Sequence, residues 1–361
     1  MTSLPPQLIT DPHQVEPAWL TGVLARSGDL RTGHVTAVEV AADVSTHATS
    51  ARLFVRYSAD ATGRQPRSLF LKLVKEESAS YFGRTEIDYY VKLTAPIVAR
   101  PAPRCYHTGY DEATGRYHLL LEDLSATHHP NWEHEPTEQS GTEAARALAR
   151  LHAFWWDRPE LTTDDRYPTP AIIRKYRGAI DGAIQPMFDY LGDRLSQETR
   201  DLLLLVYSTH SERMVERAAK GTQLTYIHGD PNPGNILSPN LPGQPTYIVD
   251  RQLFDFSLSI WLGVSDIAYM MVHWWAAETR RRLEQAVLRA YHDELLHQGV
   301  SGYSREHLWQ DYRLTAMQSI YVATDWCATE EERTSMEWVW WPQLHKSVEA
   351  FHDLHCDEQL R

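Results

Sequence analysis

Residues 226–237 read YIHGDPNPGNIL, and residues 246–250 read TYIVD. In the first stretch a short apolar run leads into the tripeptide HGD (228–230), and Asn235 follows five residues after the aspartate. The second apolar run ends at Asp250. Both runs predict short strands, because they are apolar and bounded by turn-forming residues. The polar side chains are therefore expected at strand ends, on the rim of a core.

These residue types at this spacing are suited to phosphoryl transfer. A carboxylate such as Asp230 can accept the proton of an attacking hydroxyl, while Asn235 and Asp250 offer hard oxygen ligands that Mg²⁺ can share with nucleotide phosphates. The alternative is that Asp230 and Asn235 only cap turns, since Pro, Gly and Asn dominate the loop. The full pattern, flanked by two strands, favours the catalytic interpretation.

A lysine upstream has the setting expected of a phosphate-binding group. Lys72 is the only charged residue in SLFLKLV, residues 68–74, where strand alternation directs it toward a cleft. The alternative is an edge-strand lysine whose ammonium reaches solvent. Glu86 follows on a predicted helix, residues 84–93, and could pair with Lys72 to hold it on the nucleotide phosphates. Two glutamates at 76–77 are rival partners.

The predicted elements divide the chain into two parts. With 361 residues there is room for more than one domain. We predict an α+β fold with a small N-terminal nucleotide-binding lobe, residues 1–123, that carries an antiparallel sheet and one key helix. A large, mainly helical lobe, residues 124–361, is predicted to hold the catalytic loop (228–235), the metal-binding segment (247–252) and the substrate site.

Composition and charge exclude several classes of protein. Thirty-five Lys and Arg against 48 Asp and Glu give a net charge of −13, and no basic run offers a nucleic-acid site. The most apolar window, residues 259–277, contains Asp266 and His273, which disfavours a membrane span. Three scattered cysteines and an N-terminus unlike a signal peptide predict a cytoplasmic protein.

The motif HGDxxxxN, followed by a strand that ends in aspartate, resembles the signature of the aminoglycoside phosphotransferase and choline kinase superfamily, including its ecdysteroid kinase-like branch. The resemblance spans roughly residues 16–275. It implies a bilobal, protein-kinase-like fold. It also implies transfer of the γ-phosphoryl group of ATP, with GTP as the alternative, to a hydroxyl group of a small molecule.

The resemblance assigns a role to each residue of the pattern. Asp230 is expected to be the catalytic base, and Asn235 and Asp250 are expected to bind Mg²⁺ and, through it, the nucleotide. Lys72 is expected to neutralise phosphate charge, held in place by Glu86. Catalysis of this kind depends on positioning and electrostatics, because the transition state is loose.

Two further segments resemble the family. The run HLLLEDL, which ends at Leu124, is similar to the hinge that binds adenine through the backbone C=O of Glu122 and the N–H of Leu124. The alternative is an ordinary buried strand followed by two solvated acids. The run GVSDIAYMM, residues 263–271, is similar to the family's G-x-x-D-[LI]-A segment. Asp266 and His228 are expected to give structural support to the catalytic loop.

Two departures from the family pattern stand out. Arg251 follows Asp250 where an aromatic residue is common, and it could contact a phosphate, an acidic substrate group or a nearby carboxylate. THATS, Thr46–Ser50, stands where a glycine-rich phosphate loop would lie, which leaves the choice between ATP and GTP open. Both departures slightly favour a rival function, a nucleotide-binding pseudokinase that acts through protein contacts.

The acceptor is not specified by these motifs. Acidic residues would suit a polyamine such as an aminoglycoside, and an aromatic cage would suit choline, ethanolamine or a large apolar alcohol. We favour an alcohol of the natural-product or antibiotic type, because the C-terminal third is rich in tryptophan: Trp274, Trp275, Trp326, Trp338, Trp340 and Trp341. The alternative is that these tryptophans are core and that the run Glu330–Glu332 is a solvated face.

Overall fold

The structure is a computed structural model that describes residues 8–44, 48–74 and 83–361. The chain forms two compact units, Met1–Pro96 with Ala102–His128, and Ile97–Pro101 with His129–Arg361. The first unit therefore runs on to His128, beyond the boundary predicted after residue 123. The segment 97–101 belongs to the second unit, where Ile248 N–H donates to Pro101 O at 2.7 Å.

A five-stranded antiparallel sheet forms most of the first unit, with strand order β2-β3-β5-β7-β6. In the same unit, β1 and β4 form a separate two-stranded sheet. The elements of this unit are α1 (Pro17–Arg26), β1 (Leu30–Thr32), β2 (Val35–Val44), β3 (Ala48–Tyr57), β4 (Thr62–Gly63), β5 (Ser68–Val74), α2 (Thr85–Asp88, continued by a π-helical turn, Tyr89–Leu93), β6 (Cys105–Tyr110) and β7 (Tyr117–Glu122).

Strand alternation sorts the side chains of β3 onto two faces. Leu53 and Val55 are buried in a core that includes Trp19 and Leu20 of α1, while Phe54 on the opposite face is 40% exposed. Each buried apolar side chain of this size contributes about 1.5–3 kcal/mol relative to an exposed one. The two-residue period thus attaches α1 to one face of the sheet.

The second unit is mainly helical. Its longer helices are α3 (Glu138–Trp155), α4 (Pro170–Gly178), α5 (Asp181–Leu191), α6 (Gln197–Ala218), α7 (Val264–Ala268, continued by a π-helical turn, Tyr269–Trp274), α8 (Ala277–His297), α9 (Arg305–Ala316), α10 (Gln318–Asp325), α11 (Glu330–Ser335) and α12 (Glu337–Asp353). The sequence pattern predicts one helix near residues 172–191 and another near 305–323, and each of these ranges forms two helices. Among the described residues, no helix is long and apolar enough to cross a membrane.

Two small sheets in the second unit carry the loop that the sequence singles out. They are built from β8 (His128–Pro130), β9 (Thr225–Tyr226), β10 (Ile236–Pro239), β11 (Tyr247–Ile248) and β12 (Ile260–Trp261), in the orders β12-β9 and β11-β10-β8. The catalytic-loop segment therefore connects one sheet to the other. A small sheet unit and a large helical unit confirm the predicted α+β class.

Candidate active site

Lys72 forms a buried ion pair in the first unit. Its strand, β5, pairs with β3 on one side and β7 on the other, so it is a central strand rather than an edge strand. Lys72 is 7% exposed, and its Nζ lies 2.7 Å from Oε1 of the fully buried Glu86. Tyr117 on β7 donates its hydroxyl to the other carboxylate oxygen. The expected pair is present, and the rival glutamates at 76–77 lie outside the described residues.

The hinge-like segment lies at the end of β7, in the same sheet as Lys72. Glu122 is the last residue of β7, and its backbone N–H donates to Arg104 O at 2.8 Å. Leu124 lies in the following turn, where its carbonyl accepts from the N–H groups of Thr127 and His128. The nucleotide contacts expected of Glu122 and Leu124 stay predictions.

In the second unit, a carboxylate from α7 holds the backbone of the catalytic loop. Asp266 accepts the N–H of His228 at 2.6 Å and the N–H of Gly229 at 2.8 Å, and it is 1% exposed. His152 of α3 lies 3.0 Å from the same carboxylate through Nε2, and its Nδ1 meets the Tyr291 hydroxyl at 2.9 Å. This network fixes the backbone at the start of the HGD tripeptide.

The protonation of Asp266 follows from these partners. Burial acts to raise the pKa of its carboxyl, but hydrogen bonding and charge interaction with His152, together with His228 and the Gly229 N–H, hold the pKa below its usual value. Asp266 is therefore ionised at neutral pH. It has the bracing geometry expected from the sequence.

His228 and Gly229 shape the turn that presents Asp230. Burial lowers the pKa of His228 to about 4, so the ring is neutral. Its Nε2–H can then donate to Val249 O at 2.9 Å, while Nδ1 accepts the N–H of Asp230 at 3.3 Å. Gly229 has φ +86°, and a Cβ there would lie 2.4 Å from Leu253 Cδ2. Glycine is favoured here because a side chain would be strained at this backbone angle and would displace the end of the Leu253 side chain.

Asp230 is surrounded by amide donors. Asn232 Nδ2 lies 3.0 Å from both carboxylate oxygens, and Asn235 Nδ2 lies 3.1 Å from Oδ2. The Tyr269 hydroxyl, at the start of the π-helical turn, also interacts with the carboxylate and acts to lower its pKa. Burial nevertheless raises the pKa of Asp230 to about 6, assisted by the negative charge of Asp250. A carboxylate with a pKa close to neutrality is suited to accept a proton.

Asn235 and Asp250 are brought together by the sheet that follows the loop. Val249 N–H donates to Asn235 O at 2.9 Å, which places Asp250 beside Asn235. Because the Asn235 amide nitrogen bonds Asp230, its carbonyl oxygen is directed elsewhere. An amide oxygen and a carboxylate are the hard ligands that Mg²⁺ takes in partnership with phosphate oxygens. The residues present fit Mg²⁺, and Mg²⁺ binding by them stays a prediction.

Arg251 has a structural role that the sequence left open. Its side chain is 0% exposed. Nε donates to Ile227 O at 2.8 Å, and Nη2 donates to Ser259 Oγ at 2.8 Å. These contacts tie the segment after β11 to the β9–β12 sheet, rather than directing the guanidinium toward a substrate.

Two side chains next to Asp230 were missed by sequence reasoning, Asn232 and Tyr269. Asn232 lies inside the recognised motif at a variable position, so its type carried no signal. Tyr269 lies three residues after Asp266, a spacing that places both on one face of a helix. That spacing was a usable signal, since Asp266 was already assigned to the catalytic loop.

The C-terminal tryptophans do not form one aromatic wall. Trp275 and Trp340 belong to the core, whereas Trp338 is 75% exposed. Trp274 packs on Tyr269, with ring centroids 6.5 Å apart. The run Glu330–Glu332 is exposed on α11, as a solvated face requires.

A comparison with family models identifies the chain. Residues 96–299, more than half of the 361 residues, match the model of the ecdysteroid kinase-like family. The chain belongs to the ecdysteroid kinase-like family. This range contains the whole catalytic loop, the metal-binding segment and Asp266. No curated protein matches the chain in a direct search.

Solved structures similar to this ecdysteroid kinase-like chain include a glucosamine kinase, an ethanolamine kinase and an aminoglycoside phosphotransferase. A glucosamine kinase is 14% identical, with a TM-score of 0.51, over 96% of this chain and 86% of that one. A Plasmodium vivax ethanolamine kinase is 12% identical, with a TM-score of 0.47, over 88% and 81%. The GDP complex of aminoglycoside 2'-phosphotransferase-IIIa is 13% identical, with a TM-score of 0.49, over 94% and 98%. At such low identity the glucosamine kinase likeness is one of fold.

Proposed function

We propose that this ecdysteroid kinase-like protein transfers the γ-phosphoryl group of ATP, or of GTP, to a hydroxyl of a small molecule. The observation that carries the proposal is the setting of Asp230. Its carboxylate is oriented by amide donors, has a pKa raised to about 6, and lies beside the oxygen donors Asn235 and Asp250.

In this mechanism Asp230 accepts the proton of the attacking hydroxyl as the oxygen bonds to the γ-phosphorus and the bond to the nucleoside diphosphate breaks. General-base assistance of this type contributes 10²–10⁴-fold. The raised pKa brings the carboxylate closer to the basicity that the step needs. Asp266 and His228 keep the loop backbone in place but take no part in the proton transfer.

The nucleotide phosphates require positive charge. Asn235 and Asp250 would hold Mg²⁺, which when bound neutralises charge on the phosphate oxygens. Lys72 would contact nucleotide phosphates, and its ion pair with Glu86 limits the rotamers that its ammonium can adopt. Glu122 and Leu124 would meet the adenine edge through their backbone.

For the acceptor we propose an alcohol with apolar surface, of the natural-product or antibiotic type. The support is the group of aromatic side chains around Tyr269. Tyr269 interacts with the Asp230 carboxylate and acts to lower its pKa, and the rings of His273 and Trp274 pack on Tyr269 with centroids 5.0 and 6.5 Å away. Aromatic walls of this kind bind the apolar body of a ligand while a few polar groups orient it.

The proposal is tested by release of nucleoside diphosphate with Mg-ATP and then Mg-GTP across a panel of hydroxylated acceptors. The panel contains aminoglycosides, macrolides, choline, ethanolamine, sugars and sterol-like alcohols. We expect acceptor-dependent release that falls at least ~10²-fold in Asp230→Asn. Asp193→Asn, the same change at an exposed carboxylate of the Gly192–Arg194 turn, is the matched control and should retain full activity.

The outcomes separate the possible functions. Release that depends on the acceptor and is lost only in Asp230→Asn supports the proposal and names the substrate class. Nucleotide binding without release, for every acceptor, would indicate a pseudokinase that acts through protein contacts. Equal release in wild type and Asp230→Asn would remove Asp230 from the role of base.

A further inference from the structure

Asn232 makes two kinds of contact at once. Its Nδ2 lies 3.0 Å from Oδ1 and 3.0 Å from Oδ2 of Asp230. Its Oδ1 accepts the backbone N–H of Gly234 at 2.8 Å. Neither contact depends on a residue outside the loop between β9 and β10.

The orientation of this amide is determined by its partners. An exchange of nitrogen and oxygen would place Oδ1 against two carboxylate oxygens and an N–H against the Gly234 N–H, and both contacts would be repulsive. The bond to Gly234 therefore directs the amide nitrogen at Asp230. Asn232 acts as a short rigid link between the loop backbone and the carboxylate.

A second amide approaches the same carboxylate. Asn235 Nδ2 donates to Asp230 Oδ2 at 3.1 Å and to Asp230 O at 2.9 Å. Oδ2 thus receives two amide donors, whereas Oδ1 receives one from Asn232. Asn235 is expected to direct its carbonyl to Mg²⁺, so it has a role besides its contact with Asp230. For Asn232, beyond its bond to Gly234, the role that remains is the contact with Asp230.

We propose that Asn232 is a positioning residue that holds the Asp230 carboxylate in the rotamer from which it accepts the proton of the acceptor hydroxyl. The proposal rests on the proposed function, because the group that Asn232 orients is the base of that reaction. Hydrogen bonds that are set before the reaction cost no reorganisation in the transition state. Loss of the link would leave Asp230 able to rotate away from the hydroxyl.

A purely structural role makes a different prediction. The bond from Gly234 N–H to Asn232 Oδ1 is a local side-chain turn of a common type, and it needs only an acceptor at position 232. Asn232→Ser retains such an acceptor and removes the Nδ2 donors. If the turn alone matters, Asn232→Ser should behave like wild type.

The first test measures kcat and KM in a cycle of four proteins: wild type, Asn232→Ser, Asp230→Ala and the double variant. We expect Asn232→Ser to lower kcat about tenfold with little change in KM, the size of one hydrogen bond to a charged group. In the Asp230→Ala background the same change should have no effect, because no carboxylate remains to be oriented. Asn240→Ser, which removes an exposed amide that contacts His129, is the control.

The second test does not need turnover. The side-chain amide signals of Asn232, identified by their loss in Asn232→Ser, are recorded by ¹⁵N NMR. We expect them to move upfield in Asp230→Ala, because the bonds to the carboxylate are lost, and to keep their position in Asn240→Ser. Unmoved signals would overturn the contact.

The two tests separate failure of the inference from failure of the proposed function. Equal loss of kcat from Asn232→Ser in both backgrounds, or no loss in either, would overturn the positioning role. A wild-type protein that is inactive with every acceptor contradicts the proposed reaction and with it the positioning role. The amide signals would then decide only whether the Asn232–Asp230 link exists in solution.

Discussion

Asp230 and Asp266 serve the same loop and have opposite protonation behaviour. Asp266 is 1% exposed and its carboxyl pKa is lowered, whereas Asp230 is the more accessible of the two and its pKa is raised to about 6. Burial disfavours the charged form of any carboxylate. If burial alone determined the pKa, Asp266 would have the higher pKa of the two.

The partners of the two carboxylates explain the difference. Asp266 accepts two backbone N–H groups and lies 3.0 Å from His152, so its charge is compensated. Asp230 receives neutral amide donors and experiences the negative charge of Asp250. One carboxylate is stabilised as a permanent anion that braces the loop, and the other is left able to take up a proton.

The largest expected effect comes from neutralising each carboxylate in turn. Asp230→Asn should lower kcat at least ~10²-fold and leave the free energy of unfolding unchanged or slightly increased, because a poorly compensated charge is removed. Asp266→Asn should lower the free energy of unfolding by about 3 kcal/mol, because Oδ1 and Oδ2 each accept one backbone N–H and an amide has an oxygen at only one of the two positions. Steady-state kinetics and chemical denaturation measure the two effects.

The same two variants can also contradict the contrast between Asp230 and Asp266. If Asp230→Asn destabilises the protein as much as Asp266→Asn does, Asp230 is a structural residue like its neighbour. If Asp266→Asn loses kcat without losing stability, Asp266 has a closer connection to the reaction than bracing.

A smaller effect is expected from the partner of Asp266. His152→Phe retains the ring volume but removes the contact between Nε2 and the Asp266 carboxylate. We expect a loss of about 2 kcal/mol in the free energy of unfolding, the cost of leaving one buried polar group short of a partner. Tyr291→Phe, which removes only the hydroxyl beside His152 Nδ1, serves as the milder control in the same denaturation experiment. Equal stability of His152→Phe and wild type would mean that the backbone bonds alone compensate Asp266.

The smallest effect is a pH dependence. With a pKa of about 6, Asp230 is half protonated near pH 6, so kcat/KM should fall about twofold there and tenfold for each further unit of acid. The folded-state pKa lies above that of an unfolded aspartate, so protonation of Asp230 favours the folded state below pH 6. A pH profile of kcat/KM between pH 5 and 8 measures this decrease toward acid pH. A profile that is flat down to pH 5 would contradict a raised pKa.

The contribution of Asp266 to stability depends on pH in the opposite direction from that of Asp230. Its folded-state pKa is below the unfolded value, so its contribution to stability is present above the unfolded pKa of about 3.8 and is lost as the pH falls through the folded value. Of these two carboxyls, only that of Asp230 should therefore titrate between pH 4 and 6. The difference in the free energy of unfolding between wild type and Asp230→Asn over this range isolates the contribution of Asp230.

Much of the architecture was accessible from local patterns. The strand over residues 68–74 was predicted with the bounds it has, and the Lys72–Glu86 pair was one of the pairings that the predicted strand and helix allowed, with the glutamates at 76–77 as rivals. The predicted helices over 172–191 and 305–323 were each too long, since periodicity continues across a break when both halves bury the same face. The joining of segment 97–101 to the second unit depended on a backbone bond to Ile248.

The candidate site divides in the same way. HGDxxxxN and the strand that ends in Asp250 were sufficient to single out the residues of the loop. The role of Arg251 was not predictable, because its partners Ile227 and Ser259 are set by the pairing of β9 with β12. The contact of Tyr269 with Asp230 depends on how α7 meets the loop.

By itself the sequence determined which residue types follow which strands, because strand and turn propensities act over a few neighbouring residues. It thereby specified the α+β class and the residues of the loop. The tertiary structure decided which of two nearby aspartates is compensated and which is left able to bind a proton. That difference depends on His152 and Asp250, which come from other segments, and electrostatic interaction depends on distance in space rather than along the chain.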